Sequence, residues 1–599
     1  MFQTFDPPSS TGATAPRIAK LRAFMAQAKL DALIIPRSDE YNNEYVPACA
    51  ERLQFISGFT GSAGMAVVTA KAAALFVDGR YTVQAPAEVD GTIFEVKGMP
   101  HADLRPWLVA QAKAGRVGFD PRTMTAAAHQ QYGSLLAKAG FKLVPTRGNL
   151  VDKVWGRDRP APPDGPVRIH PLSFAGQSSA DKLAALQDQL KDKGLHAAVL
   201  TAPDSICWLF NIRGSDVAHN PVVLAYAIVP ASGKAQLFLD PHRADKHVKA
   251  WLAPVARLKP PEGFEHALAE LKAGGKKVLV SPGATWAIAR AIGRLRSEEP
   301  DLCTMLKAIK NAAEIAGSRA AHLRDGVAVT RFLAWLDGTI EAGVADEITA
   351  VERLEAFRRE TGALKEISFP TISGSGPNGA IVHYRVTRAT NRALKRGELF
   401  LIDSGGQYED GTTDITRTVA IGTPTAEMKR RFTLVLKGMI DLTLARFPAG
   451  TRGVDLDPLA RRALWAEGLN YDHGTGHGVG SYLNVHEGPQ SISKAGMAQL
   501  KPGMICSNEP GYYKQGAYGI RIENLVLVTE PQTVGGDQPV MGFETLTLAP
   551  IDRRLIETAL LSLEERAWLD DYHARVRTML QPHLSSAEKR WLETATSSL

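Results

Sequence analysis

Residues 397–422 read GELFLIDSGGQYEDGTTDITRTVAIG. An apolar run, ELFLID, ends in Asp403. A second β-rich run, DITRTVAIG, starts at Asp414, and Gly405, Gly406 and Gly411 lie between the two. Two such runs around a glycine-rich turn predict a hairpin. A hairpin sets the end of one strand beside the start of the next, so Asp403 and Asp414 are expected together. Aspartate also favours turns for its own sake, and on this pair alone two solvated turn residues would be an equal reading.

The pair has company. In MICSNEPGYY, Glu509 stands just after an apolar strand, and in YGIRIENLVLV, Glu523 sits inside a run too apolar to be exposed. An acid in a buried strand needs a partner. Strand alternation puts Arg521 on the face of Glu523, and a salt bridge between them is the simplest solution. Several carboxylates gathered at one place, however, repel and take up protons unless cations intervene. Two divalent ions would neutralise four carboxylates. The stretch HGTGHGVG, 473–480, adds His473 and His477 on a bed of glycines. Imidazole is a metal ligand or an acid/base, and glycine lets backbone approach closely; a flexible loop is the bland alternative. The candidate set is Asp403, Asp414, His477, Glu509 and Glu523. Its oxygen donors and single imidazole suit Mn²⁺, with Co²⁺ or Zn²⁺ as alternatives. Two ions bridged by carboxylates, about 3.5–4 Å apart, would hold a hydroxide between them.

These motifs, with GPNGAIVHYR around His383, resemble the metallopeptidases of the pita-bread fold. They are most similar to the long, three-domain Xaa-Pro aminopeptidases, and the resemblance runs over nearly the whole chain. It implies an α+β pita-bread domain preceded by two related α/β domains of the creatinase N-terminal type. It implies that Asp403 binds one metal, that Asp414 and Glu523 bridge both, and that His477 and Glu509 bind the other. Glu509 would also shuttle a proton. His383 and His486 would line the site and stabilise substrate or the developing oxyanion, His473 would shape the substrate pocket, and Arg521 would join the substrate contacts. The implied reaction is hydrolysis of the N-terminal Xaa-Pro bond of peptides with proline second, by a metal-bridging hydroxide. A homodimer is also implied. A prolidase acting on Xaa-Pro dipeptides shares the constellation. A non-catalytic binding module, or a metal-free creatinase-like enzyme, would not need all five ligands.

Further out, two segments look like copies of one unit. One runs from Leu30 (LDALIIPRSDEYN) to Tyr81 (AALFVDGRY), the other from Leu195 (LHAAVLTAPDSIC) to Arg243 (AQLFLDPHR). In each, an apolar strand, a polar turn, an aromatic segment with a Gly-Ser pair and a strand ending in Asp follow in order. Such a repeat predicts two related α/β domains, joined by the proline-rich stretch 157–171. Helical spacing of apolar residues from Ile309 to Leu333 predicts a long helix opening a third domain, broken near Gly317 or Gly326. Short strands and glycine-rich turns are expected beyond Gly362. The last sixty or so residues return to helix and either cap the third domain or join subunits. The expected divisions are 1–160, 161–306, 307–540 and 541–599.

The bulk properties exclude several classes. The 599 residues are 44% hydrophobic and 22% charged, with 70 basic against 63 acidic side chains. A surplus of +7 on so large a chain, with scattered basic residues, argues against nucleic-acid binding. No stretch of about 20 apolar residues exists to span a membrane, and the N-terminus lacks a signal-peptide core. Cys49, Cys207, Cys303 and Cys506 are far apart and form no CxxC pair, so they are expected to be reduced structural thiols of a cytoplasmic protein. GSGPNG, 374–379, spells a dinucleotide fingerprint, but AIVHYRV after it reads as a strand where a helix is required. No G-x-S-x-G elbow accompanies a matching acid and histidine.

Overall fold

The computed structural model describes residues 2–6, 11–342 and 345–599. They form two compact units. One holds residues 11–172 and Gln177–Thr304; the other holds Met305–Leu599 with residues 2–6 and Ser173–Gly176.

The N-terminal unit contains two six-stranded mixed sheets. The first is built from Ala32–Pro36, Met65–Thr69, Ala73–Phe76, Phe94–Lys97, Gly115–Phe119 and Phe141–Pro145. The second uses Ala197–Leu200, Tyr226–Pro230, Ala235–Phe238, Ala256–Lys259, Val278–Val280 and Arg296–Ser297. Each is ordered fourth, third, second, first, fifth, sixth by its own strands in chain order. In each, the second strand runs antiparallel to the first and third on either side of it, and the later strands join in parallel. The repeat seen in the sequence is therefore a repeat of topology. Even its detail recurs: Asp78 and Asp240 each end the third strand's exit by accepting the N–H two residues on. The two cores are separate, but the sheets belong to one unit, with Tyr41 stacked on Tyr226 at 4.7 Å between centroids.

In the C-terminal unit the predicted hairpin forms. Leu399–Ser404 pairs antiparallel with Ile415–Ala420, placing Asp403 opposite Thr416, and Ile372–Ser375 flanks it. Phe400 and Ile402 face the helices Ala312–Ala342 and Glu347–Glu360. Asp403 lies on the opposite face of the strand, with Leu399 and Leu401. A second antiparallel sheet runs Glu487–Ile492, Gly476–Gly478, Ile505–Asn508, Asn524–Val528, Phe543–Thr545.

Three expectations need correction. The helix Ala312–Ala342 is unbroken. A Cβ on Gly317 would sit 2.3 Å from the Asp410 carbonyl, and one on Gly326 equally close to that of Leu548. These glycines admit neighbouring backbone; they do not interrupt the helix. Beyond Gly362 there are also two long helices, Ala426–Thr443 and Gly453–Trp465. Phe432, Val435, Leu436, Met439 and Ile440 of the first are buried at helical spacing, a signal present in the sequence. Finally, GSGPNG itself runs from the end of the strand Ile372–Ser375 into a 3₁₀ turn, Gly376–Ala380, and irregular chain follows it, not a strand, although no α-helix begins before Ala426.

The C-terminal helices Leu563–Leu580 and Ser586–Ala595 cap this unit, burying Leu569, Tyr572, Val576, Leu580 and Leu592 in a core shared with Phe432 and Ile520. All four cysteines are free and buried. Among the described residues no helix is long and apolar enough to cross a membrane.

Candidate metal centre

Asp403, Asp414, His477, Glu509 and Glu523 come from five separate points of the two sheets and converge. Ligand atoms of Asp414, His477 and Glu523 all lie within 4.8 Å of one another. His477 Nε2 is 3.5 Å from Asp414 Oδ2 and 3.5 Å from Glu509 Oε1. The other ring nitrogen, Nδ1, is 2.9 Å from the Gly478 carbonyl, which fixes the tautomer and leaves Nε2 as the coordinating atom. Ser507 Oγ accepts the His477 N–H and donates to Glu509 Oε1. Thr416 Oγ1 donates to Glu523 Oε2 at 2.7 Å.

The glycine bed has a specific cause. Gly476 lies where the Ser507 carbonyl passes, 1.9 Å from an added Cβ. Glycine here lets the neighbouring strand approach, which places His477 beside Ser507. Gly476→Ala must move backbone and is expected to cost roughly 3 kcal/mol or more, the upper end of overpacking. Gly91→Ala, with nothing within 4 Å of its added Cβ, should stay within about 0.5 kcal/mol. Chemical denaturation of both variants checks this.

The electrostatics are those of an acid cluster that wants positive charge. Burial, with Asp414 and Glu509 nearby, pushes Asp403 up to about 7 despite the Arg521 guanidinium. Burial and the charges of Asp414, Glu509 and Asp403 raise Glu523 well above the carboxylate range. Burial likewise raises Glu509, with Asp414 adding to it against His477 and Arg521. For His477 burial acts downward, but the bond to Asp414 and the charges of Glu509 and Asp414 win and raise it to about 9. Without a cation the cluster holds protons that a cation would replace. Asp403 Oδ1 is buried with no hydrogen-bond partner among the described residues. An orphaned carboxylate oxygen, a tautomer-fixed imidazole and mutually repelling acids together fit a divalent metal centre.

Arg521 departs from expectation. YGIRIENLVLV is not one strand: Tyr518–Arg521 pairs with Gly511–Lys514, and Asn524–Val528 belongs to the larger sheet. The chain changes sheets at Ile522–Glu523, so the expected Arg521–Glu523 bridge does not form. The guanidinium, 2% exposed, donates to Asp403 Oδ2 at 2.6 Å, Thr416 Oγ1 at 3.1 Å and Tyr513 Oη at 2.6 Å. It is bonded to protein on every nitrogen, and the bond to Asp403 sets the orientation of that carboxylate.

Of the other histidines, His486 stands edge-on to His477 with ring centroids 4.3 Å apart. His473 is 2.9 Å from Tyr513 Oη through Nε2, which links it through Arg521 to Asp403. His383 is half-buried in the turn after Gly376–Ala380.

The sequence reading missed the residues behind this layer. Arg461 and Asp457, buried on the helix Gly453–Trp465, hold the histidine loop: Arg461 donates to the Tyr471 and His473 carbonyls, and Asp457 accepts from Thr475. Arg417, also buried, donates to the Glu523 carbonyl at 2.6 Å and to Tyr572 Oη, tying the C-terminal helices to the site. An arginine in the β-rich run DITRTVAIG was the available signal, since a buried cation needs acceptors.

Comparison with known proteins agrees with this architecture. The model of metallopeptidase family M24 matches residues 316–530, and that of the C-terminal region of peptidase M24 matches 539–599. Two creatinase/prolidase N-terminal domain models match 17–154 and 158–314. The chain is 43% identical over 606 residues to a probable Xaa-Pro aminopeptidase P of Aspergillus fumigatus, covering 98% of this chain and 92% of that one. The corresponding protein of Talaromyces stipitatus is 42% identical over 94% of this chain and 89% of its own. The crystal structure of X-prolyl aminopeptidase from Caenorhabditis elegans, described as a cytosolic enzyme with a di-nuclear active site, superposes with a TM-score of 0.94 at 35% identity, covering 98% of this chain and all of that one. The chain belongs to metallopeptidase family M24, with two creatinase N-terminal-type domains preceding a pita-bread domain.

Proposed function

We propose that this protein is an Xaa-Pro aminopeptidase that hydrolyses the first peptide bond of chains with proline second. The observation that carries the reading is the convergence of Asp414, His477 and Glu523 ligand atoms within 4.8 Å, beside the free Oδ1 of Asp403. Whole-length similarity to Xaa-Pro aminopeptidases supports it over a prolidase. Two divalent ions, Mn²⁺ by donor chemistry, would be held by Asp403 on one side, His477 and Glu509 on the other, and Asp414 and Glu523 between. Bound there, they polarise the scissile carbonyl and lower the pKa of water.

The chain's own groups do the rest. Glu509, oriented by Ser507 and with a side chain 18% exposed, takes a proton and delivers it to the leaving nitrogen. That nitrogen belongs to proline, so the scissile amide has no N–H. The pocket therefore needs no acceptor there and can offer the ring an apolar wall. His486 and His383 hold the substrate carbonyl as it gains charge, and His473 shapes the pocket through Tyr513. Arg521 fixes the direction of Asp403. The protein acts in the cytoplasm as a homodimer, and its divisions fall at 160, 306 and 540, close to the edges of the family matches.

Chelator-stripped protein should lose hydrolysis of an Xaa-Pro-Xaa tripeptide, followed by mass spectrometry, and regain it best with Mn²⁺. Full activity in rigorously metal-free protein contradicts the reading, and turnover of the dipeptide alone replaces it with prolidase. His486→Ala should keep its metal and lower kcat by about 10²-fold, as for loss of a transition-state donor. Metal analysis beside steady-state kinetics separates that from loss of a ligand.

A further inference from the structure

Residues 2–6, FQTFD, lie far in sequence from the metal centre, yet they pack within its unit. The Phe2 N–H donates to both oxygens of Glu355, at 3.1 and 3.0 Å, and the Arg359 guanidinium covers the Phe2 ring at 4.4 Å. Gln3, 4% exposed, makes a two-way bond with one residue: the Thr371 N–H donates to its Oε1 at 2.7 Å, and its Nε2 donates to the Thr371 carbonyl at 3.3 Å. The Phe5 carbonyl accepts the Arg388 N–H at 2.8 Å. Between these two anchors the Phe5 ring, 3% exposed, is buried with Ile372, Tyr384, Val386 and Leu401, and Tyr513 packs on the same cluster.

The two anchors bracket one segment, residues 371–388, and His383 lies inside it. Its first residues, Ile372–Ser375, are held in the sheet against Leu399–Ser404, but after Ala380 the segment is irregular and no strand ladder holds residues 381–388. Thr390 bonds to Asn378, Tyr384 and Thr387, and one buried carboxylate gathers four more bonds. Glu347 accepts from the Ser375 N–H, Asn378 Nδ2, Tyr384 Oη and the Arg392 N–H. Tyr384, next to His383, is therefore bonded to Glu347 through its hydroxyl and packed with Phe5 through its ring. The same apolar cluster reaches the metal side, because Ile372 pairs across the sheet with Asp403.

We propose that residues 2–6 are a strap that positions His383, and with it the substrate side of the active site. The strap is a positioning element, not a catalytic one: no atom of it need meet substrate. It acts by denying residues 381–388 the alternative conformations open to a stretch of chain without a ladder. A displacement of about 1 Å at a substrate-positioning group costs up to 10²-fold in rate. The inference rests on the reading of His383 as a substrate contact.

The test is a double-mutant cycle on the full-length, Mn²⁺-loaded protein with an Xaa-Pro-Xaa tripeptide: Phe5→Ala, His383→Ala and the pair. Phe5→Ala is expected to lower kcat by about 10-fold or more, with metal content unchanged. In the pair the loss should be no greater than for His383→Ala alone, because the strap acts through that residue. A plain packing defect would instead multiply with His383→Ala. A variant with residues 2–6 deleted should lose the same factor and recover on addition of the free peptide FQTFD. If Phe5→Ala fails to fold by near-UV circular dichroism, Gln3→Ala, which removes only the Thr371 bonds, takes its place in the cycle. Phe5→Ala kinetics equal to wild type, or fully multiplicative losses, overturn the strap. An unimpaired His383→Ala overturns the role of His383 and leaves the aminopeptidase reading standing, whereas an inactive wild-type protein removes both.

Discussion

Glu523→Gln is expected to lower kcat/KM by at least about 10³-fold, beyond the 10- to 100-fold typical of residues that only support a ligand. The substitution keeps the shape of the side chain. It keeps the bond from Thr416 Oγ1, 2.7 Å from Glu523 Oε2. What it removes is one negative charge from a cluster where Asp403, Asp414 and Glu509 all bear on Glu523. In the metal-free protein burial and those neighbouring charges already favour the protonated carboxyl, which the amide imitates, so the apo melting temperature should hold. In the loaded protein the charge is what attracts the cations. The rise in melting temperature on adding Mn²⁺, which reports binding to the folded state, should therefore shrink or vanish. Calorimetry with and without metal, beside metal analysis, separates this from a folding defect. An apo protein markedly less stable than wild type, with metal still bound, would show that Glu523 is structural.

The second large effect concerns the substrate. Exchanging the second residue of a good peptide from proline to alanine should lower kcat/KM by about 10²-fold or more. Alanine removes the ring from the apolar wall and adds an N–H to the scissile amide, and a site built for a tertiary amide leaves that N–H buried and unpaired. Acetylating the N-terminus should abolish turnover, since an aminopeptidase must hold the free amine. Mass spectrometry of the matched parent, alanine and acetylated peptides reads both effects in one experiment. Equal cleavage of parent and alanine peptides would make this an unspecific aminopeptidase. Cleavage of the acetylated form would mean that the amine is not recognised.

Much of this site could be read from sequence because its parts sit at the ends of strongly patterned strands. ELFLID and DITRTVAIG are apolar enough that a hairpin is the economical solution, and a hairpin necessarily joins Asp403 to Asp414. The duplicated order of strand, turn and strand in the first 300 or so residues is likewise a local pattern, and it survives as an identical sheet order. Tertiary structure decided what depends on which backbone passes near which. Gly317 and Gly326 look like helix breakers until the carbonyls of Asp410 and Leu548 are found against them. Arg521 and Glu523 share parity along a strand, but parity means nothing once the chain leaves one sheet for another between them, so Arg521 serves Asp403 instead. The burial of Gln3 and Phe5 against residues more than 300 positions away has no local signature at all. Periodicity and turn chemistry act over a few residues and are written in order along the chain. Close approaches between distant segments are set by how the sheets and helices pack, and only the folded molecule displays them.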